Sequence, residues 1–207
     1  MIIDTNISCV GMSAQLIKWN IDTVGRYYRK ATHPEWVITR DEAKELSKAG
    51  LKIFAIFEDY GLASKLVLTK AQGKVDGTSA LEQAVRIKQP IGSTIYFAVE
   101  GLPSGYKSGD LPAIRNYFAG VRDAIGGKYA IGVYGDGIVC KTLANEGICK
   151  HTWLAAASWS FEGTKDFLGD WTWSIAQLGP LDIGLGKLSV DLDVANGDFG
   201  AFVVPQA

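Results

Sequence analysis

Short apolar runs recur along the chain, and between them lie segments whose apolar residues return every three or four positions. The runs are Met1–Ile3, Thr23–Tyr28, Lys52–Phe57, Thr94–Val99, Tyr129–Tyr134, His151–Ala155, Trp171–Ala176 and Leu188–Leu192. Each reads as a buried strand, and the alternation with helical segments is the pattern of βα units around a parallel sheet. The segment "TRDEAKELSKAG" is the clearest helix: Thr39 caps it, Glu42 follows three residues on, and Gly50 stops it. "DGTSALEQAVRIKQ" and "LPAIRNYFAGVRDAI" follow the same rule, the second with Pro112 in its first turn. Eight strands with helices between them predict an α/β fold, a single compact (β/α)8 TIM-like barrel. The last helices are irregular, since "WSFEGTKDFLGD" and "GPLDIGLG" read as loops. No repeat, low-complexity tract or linker divides the chain, so residues 1–207 form one domain.

In such barrels the working groups stand where strands end and loops begin. The polar residues of this chain fall there. The first strand runs into Asp4, Thr5 and Asn6, the second into Arg26, Tyr27 and Tyr28, and the third into Glu58 and Asp59. Glu100 closes the fourth, and Tyr134 and Asp136 the fifth. Trp153 lies in the sixth, Gln177 follows the seventh, and Asp191 and Asp193 belong to the eighth. A buried strand must surface somewhere, so one polar residue at its end is ordinary. Acids from several strands at one rim are a different matter, because clustered carboxylates in a partly dry cleft keep a proton near neutral pH. A protonated acid beside an ionised one is the equipment of glycoside hydrolysis. The candidate catalytic residues are therefore Glu100, Asp4, Glu58 and Asp191. Asn6, Arg26, Tyr134, Trp153, Gln177 and Asp193 are the candidates for binding substrate.

Composition narrows the alternatives. A net charge of -1 gives no footprint for nucleic acid or acidic membranes. No stretch approaches the roughly 20 apolar residues of a membrane span. His33 and His151 fall in no triad, no Gly-x-Ser-x-Gly elbow occurs, and "GVYGDG" lacks the spacing and lysine of a phosphate loop. Two histidines leave little for a transition-metal site, and neither metal nor cofactor is expected; carboxylate-bound Mg²⁺ or Ca²⁺ is the alternative. Cys9, Cys140 and Cys149 show no metal spacing. Three reduced thiols are expected, with a Cys140–Cys149 disulfide as the alternative in an exported protein. Six Trp and eight Tyr suit sugar rings as well as core packing.

Several stretches taken in order carry a resemblance: "IIDTN", "GRYYR", "TRDEAKELSKAGLKIFAIFE", "IYFAVE", "NYFAGVRDAIGGKYAIGVYG", "WLA", Trp173 to Gln177, and "VDLDVA". Together they resemble the glycoside-hydrolase-like TIM-barrel domain of bacteria and phages, over nearly the whole chain. That family is similar to the family 25 glycoside hydrolases, the Chalaropsis-type lysozymes. The resemblance implies a peptidoglycan glycosidase with Glu100 as general acid. It matches Asp4 to the aspartate ending the first strand, Asp191 or Asp193 to a late aspartate, Gln177 to the glutamine of a Trp-Gln pair, and Tyr134 to a substrate-facing tyrosine. One position departs: the first acid of the lysozymes' Asp-x-Glu motif is Ala98 here. Glu58 on the adjacent strand is its natural substitute, since neighbouring strands lie about 5 Å apart. Without that carboxylate the expectation becomes a non-catalytic glycan-binding module on the same fold. The expected partner is the glycan strand of peptidoglycan, met by a monomer. The N-terminus reads without a signal peptide. Localisation is therefore left open; retention in the cytoplasm until delivery by a holin or secretion system would reconcile this with a cell-wall target.

Overall fold

Strict alternation sorts the strand residues into two apolar layers, one inside a barrel and one between barrel and helices. The computed structural model describes residues 1–28, 34–59, 67–181 and 188–206. His33 and most of "GPLDIGLG" lie outside the described residues. Eight strands close the barrel in sequence order: β1 (Ile2–Asp4), β2 (Thr23–Tyr28), β3 (Lys52–Phe57), β4 (Thr94–Val99), β5 (Ala130–Gly135), β6 (His151–Ala155), β7 (Ile175–Leu181) and β8 (Val190–Ala195). Phe54, Ile56, Tyr96, Ala98, Tyr134, Trp153, Ala155 and Ile175 pack together inside it. Ile3, Val24, Ile53, Ala55, Ile95, Phe97, Val99, Val133 and Leu154 face the helices. Gly25 and Gly132 make room for the inner aromatic rings. A Cβ at Gly25 would lie 2.4 Å from the Phe54 ring, and one at Gly132 2.5 Å from the Tyr96 ring. Trp153 packs against Phe54, Tyr96 and Tyr134, with ring centroids 4.9, 5.8 and 4.6 Å away. Phe199 closes the floor, its carbonyl accepting a hydrogen bond from the Tyr96 hydroxyl at 2.8 Å.

The first seven strands are parallel neighbours, as the βα pattern requires. β8 differs: it runs antiparallel to both β7 and β1. The seventh strand also begins later than its apolar pattern suggests, at Ile175, because Trp171 takes a left-handed conformation (φ 55°) that ends the preceding helix. The reversal of β8 decides which of its residues meets the barrel mouth. Its N-terminal end stands there, so Asp191 pairs with Asp4 across the β1–β8 ladder while Asp193 lies one inward step deeper.

Six α-helices are present among the described residues: α1 (Ser13–Lys18), α2 (Arg40–Lys48), α3 (Lys70–Ile87), α4 (Leu111–Ile125), α5 (Gly137–Asn145) and α6 (Thr164–Asp170). α6 occupies part of the stretch that reads as a loop. Side-chain oxygens of Thr39, Thr69 and Asp136 cap α2, α3 and α5. α3 begins six residues before "DGTSALEQAVRIKQ" and includes Gly73, which ordinary propensity disfavours in a helix. Its value is contact: a Cβ at Gly73 would sit 1.9 Å from the Tyr117 carbonyl oxygen of α4, and one at Gly120 would sit 2.0 Å from that of Lys70. The two helices touch backbone to backbone. Gly120→Ala should therefore cost about 2–3 kcal/mol, a fall of roughly 5–10 °C in Tm. Gly109→Ala, whose new Cβ meets nothing within 4 Å, serves as the neutral control. Equal melting of the two variants would show that α3 and α4 do not touch in this way.

Candidate active site

Asp4 is the hub of the barrel mouth. Its Oδ1 accepts from the Tyr27 hydroxyl at 3.0 Å and its Oδ2 from Gln177 Nε2 at 2.8 Å. Gln177 is held in turn by the Tyr134 hydroxyl, which donates to its Oε1 at 2.7 Å, and its Nε2 also approaches Asp191 Oδ2 at 3.4 Å. Below Asp4 lies Asp193, whose Oδ1 accepts from the Trp153 indole N–H at 2.8 Å. Its Oδ2 is buried and meets no N–H or O–H donor among the described residues. The Asp4 and Asp193 carboxyls lie close enough to interact, and a proton held by the pair would form a hydrogen bond between them.

The titration of these groups follows from their surroundings. Burial, above all, lifts the Asp4 carboxyl from an ordinary 3.8 to about 7; the Gln177 amide works against the shift and the Asp191 charge adds to it. Burial followed by the Asp4 charge drives Asp193 well above the usual carboxylate range. Asp191, half-buried, is raised by burial as well. Burial also pushes up the Tyr27 and Tyr134 phenols, and both feel the charges of Asp4, Glu58 and Glu100. The acids that end β1, β3 and β4 are therefore near enough for both phenols to feel their charge.

Glu58 and Glu100 stand half-buried just beyond their strands, in phase with the inner layer. The β3–β4 register pairs Phe57 with Phe97, so the next step sets Glu58 beside Ala98. Ala98 is 2% exposed, faces the interior, and has Tyr134 on its other side. Asn6 is half-buried on the connection that follows β1.

Two expected binding residues stand elsewhere. Arg26 points out of the barrel: its Nε donates to Glu42 Oε1 of α2 at 2.7 Å, and both side chains are 0% exposed. Its guanidinium also donates to the Thr5 carbonyl, and Glu42 accepts from the Cys9 amide, so the pair fastens the β1–α1 connection behind the site. Trp153 is fully buried inside the barrel and supports Asp193 from below, with no surface for a ligand. Tyr27, not Arg26, is the β2 residue at the barrel mouth; it shares its inward phase with Gly25, the partner of Asp4 in the β1–β2 ladder. Asp136 serves as the α5 cap. The three cysteines are buried and free. No group of three or more His, Cys, Asp or Glu among the described residues is arranged to hold a metal ion. No helix among them is long and apolar enough to cross a membrane.

A closed eight-stranded barrel with acids converging on its mouth places the chain among glycoside-hydrolase-like barrel domains. The chain belongs to the Rv2525c-like, glycoside hydrolase-like domain family, whose model matches residues 14–179. It is 33% identical to YbfG of Bacillus subtilis over 96% of this chain, which corresponds to 29% of YbfG. The chain thus spans less than a third of the length of the curated relatives it matches. Among solved structures it is similar in fold to the Tat-secreted protein Rv2525c of Mycobacterium tuberculosis, crystallised with L-tartrate. That similarity has a TM-score of 0.80 at 18% identity, covering 97% of each chain. It is also similar to the modular autolysin LytC of Streptococcus pneumoniae, solved with a synthetic peptidoglycan ligand. There the TM-score is 0.54 at 16% identity, over 93% of this chain and 45% of LytC.

The proton shared by Asp4 and Asp193 makes a testable demand. A carboxyl whose pKa rises on folding takes up a proton, so its contribution to stability falls as pH climbs past 3.8 and levels off above the folded value. Asparagine at position 193 reproduces the protonated acid, accepting from Trp153 and donating to Asp4. Asp193→Asn should therefore fold and lose less stability between pH 4 and pH 8 than the native chain. Urea midpoints across that range measure it, and an undiminished slope would contradict the shared proton.

Proposed function

We propose that this domain hydrolyses the glycosidic bonds of bacterial cell-wall peptidoglycan. Asp4, hydrogen-bonded at the barrel mouth, together with Glu58 and Glu100 in inward phase at the ends of β3 and β4, carries this reading. It brings a rim acid and a buried, oriented carboxylate to one place, as glycoside cleavage requires. The family's glycoside-hydrolase-like character and the fold shared with LytC support a glycan substrate.

In this reading Glu100 gives its proton to the glycosidic oxygen as the C–O bond breaks. Asp4, with Tyr27 and Gln177 on its two oxygens, presents negative charge to the cationic centre that develops on the sugar. Asp193 keeps Asp4 in place by donating the shared proton, and Asp191 adds charge at the rim. Glu58, beside Ala98, supplies the second carboxylate that position 98 lacks. Water then adds to the anomeric carbon and leaves its proton on a rim carboxylate.

Ala98 favours a second reading, a glycan-binding module without turnover. Fold alone does not decide between the two. Release of reducing ends from purified peptidoglycan does. The hydrolase reading predicts such release by the native domain and its loss by about 10²-fold or more in Glu100→Gln, with the circular dichroism spectrum and Tm retained. Full activity in that variant would remove Glu100 from the mechanism. Binding to sacculi with no soluble product would establish the module.

A further inference from the structure

Strands β1 to β7 all run toward the mouth, so the connections that enter them lie together at the opposite end of the barrel. Three of those connections carry a large apolar side chain into solvent. Trp19 before β2 is 39% exposed, Ile91 before β4 is 77% exposed, and Trp171 before β7 is 67% exposed. In the closed strand order, β2, β4 and β7 are spread around the ring, so the three tips form a tripod beneath the barrel. Each tip sits on a tied turn. The Trp19 amide donates to the Gln15 carbonyl at 3.1 Å, and the Gly92 amide beside Ile91 donates to the Lys128 carbonyl at 2.9 Å. The Asn196 side-chain amide donates to the Trp171 carbonyl.

Cations stand between the tips. Lys52 opens β3, Lys128 and Lys150 precede β5 and β6, and all three are exposed. The last turns of α1 to α4 end on the same side and add Lys18, Lys48, Arg86 and Arg122. The acids near this end are matched: Asp123, Glu146 and Asp170 pair with Lys70, Arg115 and Lys141 at 2.9, 2.5 and 2.6 Å. Asp22 accepts from the Thr23 hydroxyl at 2.6 Å, and Asp198 from the Gly200 amide at 2.9 Å. Asp4, Glu58, Glu100 and Asp191 belong to the other end. A net charge of -1 hides this separation.

We propose that the end of the barrel opposite the mouth docks on a lipid bilayer with anionic headgroups. Tryptophan and aliphatic tips among lysines form the composition that settles at a lipid interface. Each cation there adds attraction to an anionic leaflet. Three anchors spread around a ring match a flat surface, whereas a groove or a single extended chain would meet one of them at a time. Contact of this kind is interfacial and needs no spanning helix. The acids of the mouth are repelled by the same surface, so charge also sets the orientation, with the mouth turned away from lipid.

The probe is a vesicle of phosphatidylcholine, with or without phosphatidylglycerol, sedimented with the native domain at low salt. Binding should require phosphatidylglycerol, fall as salt is raised, and shift tryptophan emission to the blue. Lys52→Glu, Lys128→Glu and Lys150→Glu combined should weaken it roughly tenfold or more. Ile91→Ser, at an exposed turn, should weaken it severalfold, and it serves with Lys128→Glu alone if the combined variant fails to fold. Trp159→Ser is the control: this tryptophan is 63% exposed on the β6–α6 connection, at the mouth end, and its loss should leave binding unchanged. Equal binding to both vesicles, no binding, or native affinity in the folded charge and tip variants would overturn the docking surface. Loss of binding in Trp159→Ser would overturn the orientation. Binding to soluble polyphosphate without binding to either vesicle would give this end to a soluble polyanion and overturn the lipid partner.

Discussion

Asp4, Asp191 and Asp193 meet at the mouth of a barrel that is otherwise packed with aromatic rings, and charge held there without compensation would cost several kcal/mol per ion. Everything around them offsets that cost. Tyr27, Gln177 and Trp153 aim donors at carboxylate oxygens, and the remaining buried oxygen of Asp193 meets Asp4 through a proton. The outcome is a buried carboxyl, Asp4, fixed in direction and raised to about 7 beside the Asp191 charge. Glycines at positions 25 and 132 serve the same end, because the rings they admit hold Trp153 beneath Asp193.

The outer layer determines how steady that mouth is. The Arg26–Glu42 pair is fully buried and ties β2, α2 and the chain just after Asp4 into one unit. A buried ion pair is weak grounds for stability in itself, yet removing one partner leaves an uncompensated charge. Its consequence here is positional: the carbonyl of Thr5 is fixed, and with it the direction in which β1 delivers Asp4. Backbone contact between α3 and α4 does the same for β4, which carries Glu100.

Much of this is legible from the residues. Asp4, Glu58 and Glu100 stand in phase with apolar partners two residues earlier, so their inward direction follows from alternation in β1, β3 and β4. In β2 the same rule is ambiguous, because both phases carry bulky residues. Arg26 reads as facing the barrel mouth when Tyr27 does, and its true partner, Glu42, looks in sequence like the third residue of a helix cap. The direction of β8 has a signal too. Parallel neighbours need a crossover of about a dozen residues or more, and the eight residues between Leu181 and Val190 are too few for one. Trp153 gives no such sign, since a tryptophan in a strand fits a sugar-binding wall and a barrel core equally well.

One proton held between Asp4 and Asp193 would give the mouth its poised carboxyl. Titration of the aspartate carboxyl carbons by ¹³C NMR tests it directly. A shared proton predicts two coupled aspartate signals, one with its midpoint near 7 while the other stays protonated beyond it; Asp193→Asn should abolish the second and leave Asp4 titrating alone as a single uncoupled step. If every aspartate in the chain titrates as an isolated group below pH 5, the shared proton does not exist and the poised carboxylate goes with it.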